Sequence, residues 1–246
     1  MTMSVTAVLH SEWIKIRSVR ASFGSLVAVF AATLAITLLV YSTVGQAEAK
    51  GGEDPLFGAF YAINFAQIAA IAFGATAVSS EYASGALRVS LSAVPRRGLF
   101  CVAKTAVVGA AALAVGLVTG FATFLVGQAF LGEYAIGLGS PEALRACVGA
   151  GIYLALMALL AAGLTFLLRS AVAVISLLIP FILIVSFVVG DVADGASRYL
   201  PDRAGQQILH QEAAGGLGPW TGLAVTALWA ASALLAGWWA VRRRDA

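Results

Sequence analysis

Residues 146–190 read ACVGAGIYLALMALLAAGLTFLLRSAVAVISLLIPFILIVSFVVG, with Arg169 the one formal charge among them. As a single helix this stretch would run about 68 Å, against a bilayer hydrocarbon core of about 30 Å. The chain must turn within it, and Leu168-Arg169-Ser170 is the one polar place to do so. The stretch therefore predicts two spanning helices, near 147–167 and 172–190. Arg169 is expected in the connecting loop, its side chain reaching back to the interface.

The rest of the chain reads the same way. Of 246 residues, 61% are apolar and only 11% charged, and the mean hydropathy is +0.93. Soluble domains carry about 25% charged residues, which supply a polar skin that this chain cannot build. The composition excludes disorder, collagen and a disulfide scaffold. Stretches free of Asp, Glu, Lys and Arg run over 21–47, 55–80, 105–132, 146–168, 170–190 and 213–241. They place spans near 23–42, 58–78, 105–126, 147–167, 172–190 and 220–240. They are continuously apolar, without the alternation of barrel strands. The expected fold class is all-α: a polytopic membrane protein with six transmembrane helices, forming one transmembrane domain over 1–246. The first span, about 20 apolar residues long, exceeds the 7–15 of a signal-peptide core and is expected to stay uncleaved.

Charge then orients the chain. The N-terminal segment, the 79–104 loop, Arg169 and the C-terminal tail hold 11 of the 15 bases and three of the 12 acids. That side carries net +8 and the other −5. Basic loops stay in the cytoplasm, so both termini are expected there. Cys101 and Cys147 fall on opposite faces, too far apart for the Cα spacing of about 7 Å that a disulfide allows.

Between the spans, two segments stand out. Residues 3–20 read as a surface helix, with Val5, Leu9, Trp13 and Ile16 on one stripe and Lys15, Arg17 and Arg20 suited to lipid headgroups. Glu12 interrupts that stripe slightly. In the 79–104 loop, Ser80 can cap a helix whose first turn holds Glu81. Leu87, Leu91 and Val94 make a narrow apolar stripe, and Pro95 ends it. Such a short amphipathic helix either lies on the membrane or inserts into a groove on a soluble partner.

These residues carry a resemblance. Glu81, Gly85, Leu87, Leu91, Pro95, Arg96/Arg97 and Lys104 stand where ABC type 2 exporter permeases of the compact bacterial kind have a Glu, a Gly four positions on, two apolar residues, a Pro-x-Arg step and a downstream Lys. Ala86 departs from the Thr that often follows the Gly. The chain thus resembles a membrane subunit of that family over essentially its whole length. The resemblance implies a multi-pass protein of the cytoplasmic membrane, paired with a second permease copy or a similar chain. It implies two ABC ATP-binding subunits, which would hold the ATP and Mg, with no cofactor on this chain and no nucleic acid. Residues 80–94 would form a coupling helix docking on the ATPase through Glu81, Gly85, Leu87, Arg88, Leu91 and Arg96. The N-terminal helix, with Glu12 and Trp13, would brace that contact. The substrate would be a hydrophobic or amphipathic drug, antimicrobial peptide or lipid.

The remaining residues agree with an engine outside the chain. A phosphate-binding loop of the Walker type ends in Gly-Lys, and Lys15, Lys50 and Lys104 follow Ile14, Ala49 and Ala103. No Asp, Glu or Lys is expected deep in a span, which counts against an ion-coupled carrier. Asn64 and Gln67, one turn apart, line a translocation path or bond across helices. Gly116 and Gly120 permit a close helix contact, and Pro180 removes a donor within the fifth span. The external loop 191–219 carries Asp191, Asp194, Asp202, Arg203, His210 and Glu212, and Ala204 to Glu212 can form a short helix. His210 and His10 lie on opposite sides, so neither a zinc site nor an intramembrane protease is visible. A secondary carrier or a structural assembly factor are the competing readings.

Overall fold

The computed structural model describes residues 5–43, 54–83, 85, 90, 97–186, 188, 195–211 and 216–243. Among these the structure is all-helical, without a strand. In chain order the α-helices are α1 (Val5–Ser18), α2 (Arg20–Thr43), α3 (Pro55–Ala59), α4 (Ile63–Ala83), α5 (Arg97–Ala129), α6 (Pro141–Leu168), α7 (Ala171–Pro180), α8 (Pro201–Gln206) and α9 (Pro219–Arg243). Five of them, α2, α4, α5, α6 and α9, are long and apolar enough to cross a membrane. Their outward faces carry Leu39, Val102, Val118, Leu228 and Leu235, all exposed, which suits hydrocarbon and not water.

The bundle is built around α6. It packs against α4, α5 and α9, and 67% of its most apolar window is buried, against 22% for α2. Local chemistry sets its ends. Ser140 accepts from Ala143 N at 3.2 Å, Pro141 occupies the first helical position and Glu142 the first turn. At the other end Arg169 adopts the left-handed region, φ +58°, and its N–H closes on Thr165 O at 2.8 Å. Ser170 immediately caps α7 through Ala173 N at 3.3 Å. The reversal within 146–190 is thus one left-handed residue followed at once by a serine cap.

The segment after it is helical at every described residue of the expected span over 172–190, Ser186 and Val188 included. Regular α-geometry stops at Pro180, whose ring nitrogen has no proton for the ladder. A π-turn over Phe181–Val185 follows. Small residues bring other helices close. A Cβ on Gly116 or Gly120 of α5 would stand 3.0 Å from Gly151 O or 2.7 Å from Cys147 O of α6, so both glycines serve that contact.

The 79–104 loop is shorter than expected, because α4 continues to Ala83 and α5 begins at Arg97. Lys104 therefore sits in a helix, not in a loop. The expected helix over Ala204 to Glu212 begins earlier, at Pro201, and tightens to a 3-10 turn at Gln207–Leu209. It is packed against α9 and α6, with Ala204, Ile208 and Leu209 buried.

Candidate functional site

At one end of the bundle, four charges from three helices close on each other. Glu12 and Lys15 come from α1, Glu81 from the last turn of α4, and Lys104 from the second turn of α5. Lys104 Nζ stands 2.7 Å from Glu81 Oε1 and 2.7 Å from Glu12 Oε2. Lys15 Nζ stands 2.7 Å from Glu12 Oε1 and 3.1 Å from Glu81 Oε1. Each cation thus bridges both carboxylates. Ser90 joins the ring, accepting from Lys15 Nζ at 2.9 Å and donating to Glu81 Oε2 at 3.2 Å. The side chains of Glu12, Glu81 and Lys104 are 2%, 3% and 1% exposed, and that of Lys15 is 31%. Burial works against the Lys15 charge. The hydrogen bond and attraction of Glu12, then Glu81, outweigh it and raise the Lys15 pKa above the ordinary lysine value.

The arrangement rearranges the expected roles of these residues. The stripe of Val5, Leu9, Trp13 and Ile16 is replaced by a buried face of Val8, Glu12 and Ile16. Val5 and Trp13 are 55% and 42% exposed. α1 turns Glu12 inward because two lysines wait there, and Trp13 outward into an apolar groove with Phe23 and Phe30. Glu81, read as a contact for another subunit, is directed onto this chain's own lysines. Gly85 is exposed, in the left-handed region at φ +68°, with open space around its Cα. Leu87, Arg88, Leu91 and Arg96 lie outside the described residues. Sequence reading passed over Lys15 and Lys104 as partners. The available signal was Glu12 and Lys15 three residues apart on one helical face.

About 25 Å along α4 from Glu81, a neutral polar network holds the opposite end. Tyr153, fully buried in α6, donates its hydroxyl proton to Gln67 Oε1. Gln206 Nε2 donates to Asn64 Oδ1 at 2.9 Å and to Tyr153 Oη at 3.3 Å. Asn64 and Gln67 therefore bond across helices, joining α4 to α6 and α8. Thr226 Oγ1 of α9 adds a bond to Pro201 O at 2.8 Å. Around the rim, Asp54 caps α3 through Leu56 N at 2.9 Å and accepts from Gln211 N at 2.8 Å. Phe57 stacks on His210 at 3.9 Å. Arg145 donates to the carbonyls of His210 and Gln211. Sequence reading missed Tyr153 and Gln206; a lone tyrosine in the most apolar stretch was the only hint.

Among the described residues, Asp202 in α8 is the one acid of this end held inside. Ser186, just past the π-turn, donates to its Oδ2 at 2.5 Å. Burial raises the Asp202 pKa, against the Ser186 bond and the nearby backbone and Arg203, which lower it. A carboxyl raised on folding stabilises fully below the ordinary carboxylate pKa and loses that contribution as pH rises through its folded value. Asp202→Asn keeps an acceptor for Ser186 without the charge. The variant should melt about 2–4 °C above wild type at pH 8, for about 1 kcal/mol, and with a flatter pH profile in scanning fluorimetry. A lower midpoint at pH 8 would show a paired carboxylate instead.

Among the described residues no three of His, Cys, Asp and Glu come together as metal ligands. In the ion cluster each lysine faces both carboxylates, and Glu12 Oε2, 2.7 Å from Lys104 Nζ, accepts no hydrogen bond among the described residues. It joins α1, α4 and α5 close to Ala83 and Arg97, the facing ends of α4 and α5. Compared with protein-family models, curated proteins and solved structures, the chain matches none.

Proposed function

We propose that this chain is the membrane-spanning permease subunit of an ATP-driven ABC exporter. It crosses the cytoplasmic membrane six times with both termini inside, the apolar segment after Arg169 supplying the fifth crossing in chain order. It works as a pair, with a second copy or a similar chain, on two ATP-binding subunits that carry ATP and Mg. The cargo is hydrophobic or amphipathic.

One observation carries this reading. The segment bearing the Glu81, Gly85, Leu87, Leu91, Pro95 and Lys104 pattern begins and ends at the ion cluster formed by Glu81, Lys104, Glu12 and Lys15. A partner pressing on that segment loads three helices at once through short, buried ion pairs, and not the tip of one helix. That is the property a site of force transfer needs. Charge placement supports the same reading. Every Asp, Glu, Lys and Arg of the five long helices lies within eight residues of a helix end, leaving no midplane group to couple an ion.

The test is reconstitution with and without an ATP-binding subunit. Purified with its ATPase partner in vesicles, the complex should move a fluorescent amphiphile only when ATP is supplied. Arg88→Glu should lower ATP hydrolysis by the complex about tenfold while the permease stays folded. Transport by the permease alone would sink the proposal.

A further inference from the structure

The C-terminal end of α9 carries a feature that force transfer does not use. α5 and α9 both lean on α6 and diverge from each other, leaving a groove floored by Phe166. Cys101, Val102, Thr105 and Ala106 form one wall and Leu234, Leu235 and Trp238 the other, enclosing about 470 Å³. Trp238 also lines a second hollow of about 380 Å³ with Trp239, Arg242 and Arg243. The two spaces share Trp238, so an apolar trough and a basic hollow meet at that residue. The mouth is organised: the Arg242 guanidinium lies 4.8 Å from the Trp238 ring centre and that of Arg243 4.6 Å from Trp239. Arg97 donates to Val241 O at 3.0 Å and ties α5 to α9 there. Among the described residues neither Arg242 nor Arg243 meets a carboxylate, and the Trp238 indole N–H meets no acceptor.

We propose that this groove holds one anionic phospholipid, its phosphate on Arg242 and Arg243 and one acyl chain lying over Phe166 between α5 and α9. The order of surfaces fits that molecule. Leu234 and Leu235 lie one turn deeper than Trp238, and the arginines one turn shallower, so apolar wall, amphipathic indole and cation follow in the sequence of acyl chain, glycerol and phosphate. Each guanidinium lies against an indole, at 4.8 and 4.6 Å from the ring centres, and has N–H donors to offer a phosphate oxygen in the charge-assisted contact that guanidinium favours. The arginines and the outer edges of the groove walls are exposed, Val102 at 65% and Leu235 at 63%. A second copy docking symmetrically here would set the same cations face to face, whereas an anionic headgroup neutralises them. A comparable groove between α2 and α5 is lined by Trp13, Phe23 and Phe30 but by a single arginine, Arg17, and serves as the internal control. The inference requires the chain to lie in a membrane and is independent of transport.

Native mass spectrometry of the full chain tests it, with phosphatidylglycerol or phosphatidylcholine of identical acyl chains added to the detergent micelle. Wild type should retain one phosphatidylglycerol with at least about fivefold preference, as expected for two charge-assisted contacts. Arg242→Gln with Arg243→Gln should abolish the preference, Leu235→Trp should reduce retention of both lipids, and Arg17→Gln should change neither. Equal retention by wild type, a preference that survives loss of both arginines, or its loss in Arg17→Gln would each overturn the site. So would efficient disulfide dimers of Leu235→Cys in membranes, which would show that another copy fills the groove.

Discussion

Lys104→Met is expected to cost about 3–5 kcal/mol, the cost of removing one partner from a buried ion pair. Glu12 and Glu81 each lose a cation at 2.7 Å. Lys15 alone then faces two carboxylates whose side chains are 2% and 3% exposed. Methionine fills the volume but supplies no charge, so the loss is electrostatic and not a packing defect. The thermal midpoint of the purified protein should fall by roughly 6–20 °C, at 2–4 °C per kcal/mol for a chain of this size. Neutralising the stranded acids in the triple variant Lys104→Met, Glu12→Gln, Glu81→Gln should recover most of that fall, since an apolar or neutral substitute for a whole buried cluster is tolerated where half a cluster is not. A fall below about 1 kcal/mol in the single variant would mean that water reaches these charges.

Gly74→Leu is the second large effect. A Cβ at Gly74 of α4 would stand 2.0 Å from Ala158 O and 2.8 Å from Ala158 C of α6. Backbone, not a movable side chain, blocks it, so α4 and α6 must separate along a contact both helices bury. Overpacking of a core costs about 1–3 kcal/mol when side chains can adjust, and more when they cannot. The expected result is loss of the monodisperse species in gel filtration, with Gly74→Ala intermediate. Gly24→Ala is the control. Nothing lies within 4 Å of a Cβ there, so this helical position should be neutral or gain about 0.5–1 kcal/mol. Equal behaviour of Gly74→Ala and Gly24→Ala would refute the close approach of α4 and α6.

The two variants mark what the sequence discloses and what it does not. Charge-free runs locate the long helices well, because the absence of charge is a one-dimensional signal. The reversal at Arg169 is equally legible, since length alone demands it. Which face of each helix turns inward is not. A chain apolar on all sides gives no contrast between lipid and protein, so Gly74 looks like any other glycine until Ala158 is placed against it. The ion cluster was hidden for a related reason. Glu12 reads as a blemish on an apolar stripe, and Lys104 as part of a basic loop, when each is judged against its own neighbours. Only the third dimension brings together residues 12, 81 and 104. In the polar network, the pair Asn64 and Gln67 was visible by spacing, while Tyr153 and Gln206 lie too far along the chain to be linked to them by pattern.

The cluster also imposes a schedule. Glu12 and Lys15 leave the ribosome 66 residues or more before Glu81 and some 90 before Lys104. At about 5–20 residues per second, Lys104 follows on the order of 10 s later. During that interval the two N-terminal charges have only each other, three positions apart on one exposed helical face, where such a pair is worth a few tenths of a kcal/mol. α1 can therefore take its final seat only after α5 has been synthesised, and the earliest part of this protein is among the last to be locked in place.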